Sequence, residues 1–200
     1  MALRDVKTNY GWLRGIEVSE MVTAFYGVPF AMPPTGEKRW TYPVRPACWE
    51  GIRNANAFGN IAPQGIRVRP ADAVDWRYTA PDKYLSFQES EDCLYLNLWT
   101  SAKTALDRLP VMVWIPGGGF VGGHPSEPQY SGEAMTQKGI ILVTVQHRLG
   151  ALGFLSHPLL EEKHGYTGNY ALHDLIAALD WVQENISEFG GDPHNVTIGG

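Results

Sequence analysis

The sequence predicts an α/β protein in which antiparallel N-terminal strands lead into a mostly parallel central sheet. One sign is the apolar run Val111-Met112-Val113-Trp114-Ile115, bounded by Pro110 and Pro116 and ending in Gly117-Gly118-Gly119. It reads as a buried strand that opens into a loop whose backbone N–H groups can approach a ligand closely. A second is the run at 140–146, β-branched and apolar on both faces, as in a parallel strand covered by helices. The third is a helix at 170–188 followed by the strand Val196-Thr197-Ile198, so that strand, helix and strand alternate.

In chain order, residues 6–8 and 12–18 read as strands joined by a tight turn at Asn9-Tyr10-Gly11, with a further strand at 21–28. Residues 27–40 are too rich in Pro and Gly for a helix or central strand and form an ordered surface wrap. From 43 to 90 the sequence is irregular, with Pro46, Pro63, Pro70 and Pro81 interrupting every candidate element. At 91–100, Leu94, Leu96 and Leu98 alternate with Tyr95, Asn97 and Trp99 in the period of a strand. Residues 131–138 allow a short helix, and 148–154 are rich in turn residues. In the long helix Leu172, Leu175, Ile176, Leu179, Val182 and Ile186 form one apolar stripe, with Asn169 placed to cap its start and Gly190-Gly191 to stop it. The strand at 196–198 has no following helix and is expected to lack a partner on one side, as though the chain were cut there.

Composition narrows the function. The 200 residues are 44% hydrophobic, enough for a genuine core, and the net charge is −5 without any basic block. Nucleic acid and membrane surfaces are not expected partners. The N-terminus breaks into charge before an apolar leader can form, so a cytoplasmic protein is expected. Cys48 and Cys93 allow one bridge at most and are expected to be reduced, and the sequons at Asn185 and Asn195 are read as chance.

The glycine loop leaves a choice between phosphate and oxyanion. Gly117, Gly119 and Gly122 satisfy G-x-G-x-x-G after a strand, but His124-Pro125-Ser126-Glu127-Pro128 follows where a helix should open. The next strand ends in Gln146-His147-Arg148 instead of an acid for a ribose hydroxyl. The oxyanion alternative fits better. In α/β-hydrolases a loop after an early central strand supplies backbone donors, and the nucleophile lies on a later strand-to-helix elbow, G-x-S-x-G. Here the strand at 196–198 runs into Gly199-Gly200, and Gly200 is placed as the first glycine of such an elbow.

Several stretches together resemble the N-terminal portion of type-B carboxylesterases, the family that includes the cholinesterases, and of its bacterial members in particular. They are F-Y-G-V-P-F-A-x-P-P-x-G-x-x-R-W at 25–40, S-E-D-C-L-Y-L-N-L-W at 90–99, the glycine-ended strand at 110–120, the segments 148–154 and 168–172, and F-G-G-D-P-H-N-V-T-I-G-G at 189–200. The resemblance implies an α/β-hydrolase fold, with residues 1–200 as one incomplete domain, and hydrolysis of a small carboxylic ester through a serine acyl-enzyme without metal or cofactor. It assigns the N–H groups of Gly118 and Gly119 to an oxyanion hole, and Gly117 and Phe120 to substrate binding, Phe120 in the acyl pocket. It also implies buried ion pairs Arg39–Glu91 and Arg148–Asp174 that fix loops around the site.

The chain departs from that pattern at Pro116, where histidine or tyrosine is usual, and at Leu175, where glutamine is usual. Ala62, before Pro63-Gln64, stands where secreted members carry the cysteine that pairs with the equivalent of Cys93, so that bridge is not expected. No tryptophan matches the one that binds acetylcholine, which argues against a cholinesterase. His124, His147, His157, His164, His173 and His194 all precede the expected serine, whereas this fold orders its triad serine, acid, histidine; each is expected to be structural or on the surface. The chain is therefore expected to be inactive and poorly soluble by itself. A non-catalytic adhesion module of the same family would look the same over these residues, and the residue two positions beyond Gly200 distinguishes them. Acyl and alcohol preference and oligomeric state are not legible.

Overall fold

A computed structural model describes residues 3–64 and 88–200. Strands β1 (Asp5–Thr8) and β2 (Gly11–Arg14) form an antiparallel hairpin about the turn foreseen at Asn9-Tyr10. The strand expected at 12–18 is in fact two: β2 ends at Arg14, and β3 (Ile16–Ser19) belongs to another sheet. Gly15 is the crossing point. A Cβ there would lie 2.7 Å from the Ala24 carbonyl oxygen, so only a residue without a side chain lets the chain change sheets so close to its neighbour. β4 (Val22–Pro29) pairs antiparallel with β3 and bulges at Tyr26-Gly27, where the Gly27 N–H is taken by Asn97 Oδ1 at 3.1 Å.

The stretch 43–90 is not wholly irregular. Ile52–Asn54 forms β5, which joins β2 in parallel between the breaks at Pro46 and Pro63. Its three residues are exposed and pair through backbone alone, so no apolar pattern announces it. Pro70 and Pro81 lie outside the described residues.

The main sheet has six strands. β6 (Tyr95–Thr100), β7 (Leu109–Trp114), β8 (Ile141–Val145) and β9 (Gly191–Gly199) complete it in the order β3-β4-β6-β8-β7-β9. The first pairings are antiparallel, and β7 pairs parallel with both β8 and β9. The alternation in β6 divides its side chains between two cores. Leu96 and Leu98 join the larger one beneath Trp181 and Phe189, and Trp99 packs with Val22, Ala24 and Leu142 on the other face. Asn97 is buried but satisfied, because its Nδ2 donates to Thr144 Oγ1 at 3.2 Å and Thr144 Oγ1 donates to the Pro125 carbonyl at 3.1 Å.

The short helix expected at 131–138 is α1 (Glu133–Thr136). The segment 148–154, read as turn-rich, contains a helix, α2 (Gly150–Phe154), and α3 (Pro158–His164) follows. The long helix α4 (Tyr170–Asn185) passes into a 3-10 turn, Ile186–Phe189, which Gly190 ends at φ 79°. Gly191 already belongs to β9. Asn169 does not cap α4 with its side chain; it takes a left-handed conformation (φ 57°), which asparagine tolerates, and its carbonyl accepts from Leu172 and His173.

The apolar stripe expected on α4 is only in part its buried face. Val182 and Ile186 are fully buried and Leu175 and Leu179 pack against the core, but Leu172 and Ile176 are about half exposed, and the helix also buries Ala171, Asp174, Ala178, Trp181 and Asn185. The alanines let α4 lie close to the core, and the two polar residues are inside because each has a partner there. Asn185 Nδ2 donates to the Trp181 carbonyl at 2.8 Å and its Oδ1 accepts from the Asn9 N–H at 2.8 Å; Asp174 binds Arg148.

Candidate functional site

Parallel pairing brings the C-terminal ends of β7 and β9 together. Trp114 is in register with Gly199, the Ile115 N–H donates to the Gly199 carbonyl at 2.8 Å, and a Cβ on Gly200 would lie 2.6 Å from the Ile115 carbonyl oxygen. The end of the described chain therefore abuts the strand exit that carries the glycine loop.

That loop, residues 117–123, is folded back on itself so tightly that glycine is required at its stems. A Cβ on Gly118 (φ 154°) would lie 1.8 Å from the Gly122 carbonyl oxygen, and one on Gly123 (φ 94°) 2.2 Å from that of Gly117. At the tip Gly119 takes φ 61° and Phe120 takes φ 68°, a strained conformation for a phenylalanine. Phe120 is held there because its carbonyl accepts from the Gly150 N–H at 2.7 Å. Among the described residues the N–H groups of Gly118 and Gly119 have no acceptor, and both glycines are exposed. Two backbone donors thus point out of a constrained loop with nothing in the described fold to receive them.

A cleft of about 270 Å³ opens against the loop. It is lined by Gly117, Gly118, Gly119 and Phe120 on one side and by residues that include Leu172 and Leu175 on the other. Beyond Phe120, whose ring meets that of Phe154 edge-on at 5.1 Å, lies a wider apolar groove lined by Val121, Ala151 and Leu172 among others. Among the described residues His147 is the one titratable side chain on the cleft wall. It is buried, and its Nδ1 lies 2.8 Å from the Arg148 carbonyl, which can only accept; Nδ1 therefore carries the proton. The exposed Leu172 that departs from the expected core stripe is thus part of the cleft wall.

The two ion pairs both form, in different settings. Arg148 and Asp174 are buried, with Nε to Oδ2 at 2.9 Å and Nη2 to Oδ1 at 2.7 Å, while Arg148 Nη1 donates to the Thr41 carbonyl at 2.9 Å. This ties the wrap at 27–40 and its continuation to α4, and fixes the segment that delivers the Gly150 N–H to Phe120. Arg39 and Glu91 make a bidentate pair at 2.6 and 2.5 Å, but the arginine side chain is 42% exposed. The expectation of burial fails for that pair, since it clips together two surface segments and no core element covers it. The Glu91 carboxylate raises the Arg39 guanidinium above its ordinary value.

Cys48 is exposed and Cys93 buried, both as free thiols, and burial pushes the Cys93 thiol up. Ala62 is fully buried in the same core as Cys93. One site contact was not foreseen. Gln64, which the sequence presents only as part of a Pro-Gln dipeptide, reaches across to Gly123 at the loop stem. Its partner is backbone, which leaves no mark in side-chain chemistry.

The model of the carboxylesterase family matches residues 3–200. The chain belongs to the carboxylesterase family. It is 43% identical over 195 residues to fumonisin B1 esterase of Sphingopyxis macrogoltabida, a match that covers 96% of this chain and 34% of that protein. It is 43% identical over 201 residues to para-nitrobenzyl esterase of Bacillus subtilis, covering 100% of this chain and 38% of the relative. Among solved structures, a PNB esterase superposes with a TM-score of 0.83 at 42% identity, covering 98% of this chain and 38% of its own, and a Geobacillus stearothermophilus carboxylesterase with 0.80 at 38% identity, again 98% and 38%. The fold is accordingly that of the α/β-hydrolases, and the chain spans about a third of the length of the curated relatives it matches.

Proposed function

We propose that this chain is the N-terminal part of a carboxylesterase that hydrolyses uncharged carboxylic esters through a serine acyl-enzyme. The observation that carries the proposal is the pair of unpartnered N–H groups on Gly118 and Gly119, presented by a loop whose glycines admit no substitute at positions 118 and 123. In this mechanism a serine Oγ attacks the ester carbonyl, a histidine takes its proton, and the carbonyl oxygen gains negative charge as the tetrahedral intermediate forms. Donors fixed in advance at that oxygen favour the transition state over the ground state, and loss of one donor costs roughly 3 kcal/mol of barrier.

The nucleophile is placed two residues after Gly200, at the turn that follows β9. The adjacency of Ile115 and Gly200 supports this, because it brings the start of such an elbow beside the oxyanion loop. The acid and histidine then come from the remaining two thirds of the protein. The apolar cleft suits an acyl chain, with Phe120 on its wall and, among the described residues, no fixed charge lining it to recruit an ionic substrate. The reading also takes the reduced thiols as fitting a cytoplasmic protein.

The test is turnover by the protein extended beyond Gly200. It is expected to hydrolyse p-nitrophenyl esters and to be labelled by a fluorophosphonate, and both properties are expected to vanish when the elbow serine is replaced by alanine. Glycine or alanine at that position in the natural sequence, with no ester turnover, would show a binding module instead.

A further inference from the structure

Gln64 grips Gly123 by both of its backbone groups. Its Oε1 accepts from the Gly123 N–H at 2.9 Å, and its Nε2 donates to the Gly123 carbonyl at 3.4 Å and to the Ala62 carbonyl at 3.2 Å. The glutamine is itself anchored, since its N–H donates to Glu89 Oε2 at 3.3 Å and the preceding Ile61 exchanges backbone bonds with Gln88 and Ser90. A side chain 59 positions away thus fixes the end of the glycine loop.

Gly123 in turn bears on the site. Its Cα sits so close to the Gly117 carbonyl that no Cβ fits between them, and that carbonyl shares one planar peptide with the Gly118 N–H. Rotation of this plane is what would swing the Gly118 donor off its target, and Gly123 blocks it. Gly122 blocks Gly118 in the same way one position along. The tip has its own tie through Phe120 and Gly150, and the His124 N–H is held by Glu127 Oε1 at 3.1 Å, but Gln64 is the contact that reaches the residue packed on the Gly117–Gly118 peptide.

We propose that Gln64 is a positioning residue that aims the Gly118 N–H at the developing oxyanion by fixing Gly123. This rests on the esterase reading of the site given above. The carbonyl of a bound substrate occupies nearly the same place before reaction, but the donor matters most once charge has formed. Loss of aim is therefore read mainly in kcat.

The experiment compares three variants of the protein extended beyond Gly200, with kcat expressed per site titrated by a fluorophosphonate. Gln64→Met keeps length and removes both hydrogen bonds to Gly123 and the one to Ala62; it is expected to lower kcat at least about tenfold with KM within about twofold, and to weaken a trifluoromethyl ketone transition-state analogue by the same factor. Gln64→Glu keeps an acceptor for the Gly123 N–H but turns a carboxylate oxygen toward the Gly123 and Ala62 carbonyls, and is expected to recover only part of the loss seen in Gln64→Met. If Gln64→Met does not fold, Gln64→Asn, one methylene too short to reach, is read by the same constants. A variant with fewer titratable sites but unchanged kcat per site and unchanged inhibitor affinity overturns the proposal, because it reveals a stabilising role alone. Absence of turnover in the parent protein overturns the esterase reading and this proposal with it.

Discussion

Arg148 gives Asp174 three hydrogen bonds, from its backbone N–H at 3.0 Å, Nε at 2.9 Å and Nη2 at 2.7 Å, so one buried carboxylate holds both the guanidinium and the main chain just before α2. That main chain leads to Gly150, whose N–H holds Phe120 in its left-handed conformation. The pair therefore links the core to the cleft.

Asp174→Ala in the extended protein is expected to cost about 3–5 kcal/mol of stability, because the arginine charge stays buried without its partner. Urea denaturation measures it. Arg39→Ala removes an ion pair that water already screens, and its midpoint is expected to match the parent's. Equal losses from the two substitutions would show that burial does not set their value.

The two loop glycines are expected to separate on substitution. Gly118→Ala drives a Cβ into the Gly122 carbonyl, so the stem must open and ester turnover is expected to collapse. A Cβ on Gly119 meets nothing within 4 Å, and the cost there is only that of a left-handed alanine, about 1–2 kcal/mol. Gly119→Ala is expected to retain measurable turnover. Initial rates with a p-nitrophenyl ester decide it, and equal losses would mean that the loop is not held by its stems.

What the sequence makes legible follows from where the physics is local. The strand at 109–114 and its loop can be read because prolines and glycines punctuate a continuous apolar run. Helix α3 was not expected from the sequence: Pro158 at its first turn and Gly165 past its end mark it, but its seven residues are too few for a periodicity. The face of α4 was legible only in part. Val182 and Ile186 of its apolar stripe are buried, but its N-terminal half is docked by Ala171, Ala178 and a charge whose partner lies 26 positions away, while Leu172 and Ile176 stay exposed. β5 and the Gln64 clamp were hidden for a related reason, since both are made with backbone atoms of distant segments.

The two cysteines are expected to differ in reactivity by exposure alone. Cys48 is open to solvent, whereas Cys93 is fully buried with its thiolate disfavoured by desolvation. In the folded extended protein a thiol-reactive dye is expected to label Cys48 fast and Cys93 only after denaturant, as read by peptide mapping of the labelled sites. Fast modification of both would mean that the core around Cys93 opens readily.

Burial lowers His124 below its ordinary value of 6.5, with the Glu127 carboxylate opposing the shift more weakly. The unfolded chain then binds this proton at a higher pH than the folded one does. The contribution to stability is complete above about pH 6.5 and is lost as pH falls through the lower folded value. Denaturation midpoints of the extended protein are expected to fall from about pH 7 to about pH 5, and His124→Gln is expected to flatten that part of the profile. Parallel profiles for parent and variant would remove His124 as the cause.

Among the described residues β9 lies at the edge of the six-stranded sheet, paired with β7 on one side only, and Ile198 on it is 54% exposed. Ile176 of α4 is 52% exposed and Phe120 of the loop 66%, so apolar surface is uncovered in the strand, the helix and the loop. An open strand edge with apolar side chains is a template for another chain. The 200-residue chain by itself is therefore expected to self-associate and to bind an apolar dye such as ANS, whereas the protein extended beyond Gly200 is expected to do neither. Ile198→Lys places a charge on the edge strand and is expected to reduce association of the short chain without restoring turnover. Sedimentation velocity measures both forms, and a monodisperse short chain that ignores the dye would show that its exposed edge and apolar side chains are tolerated without a cover.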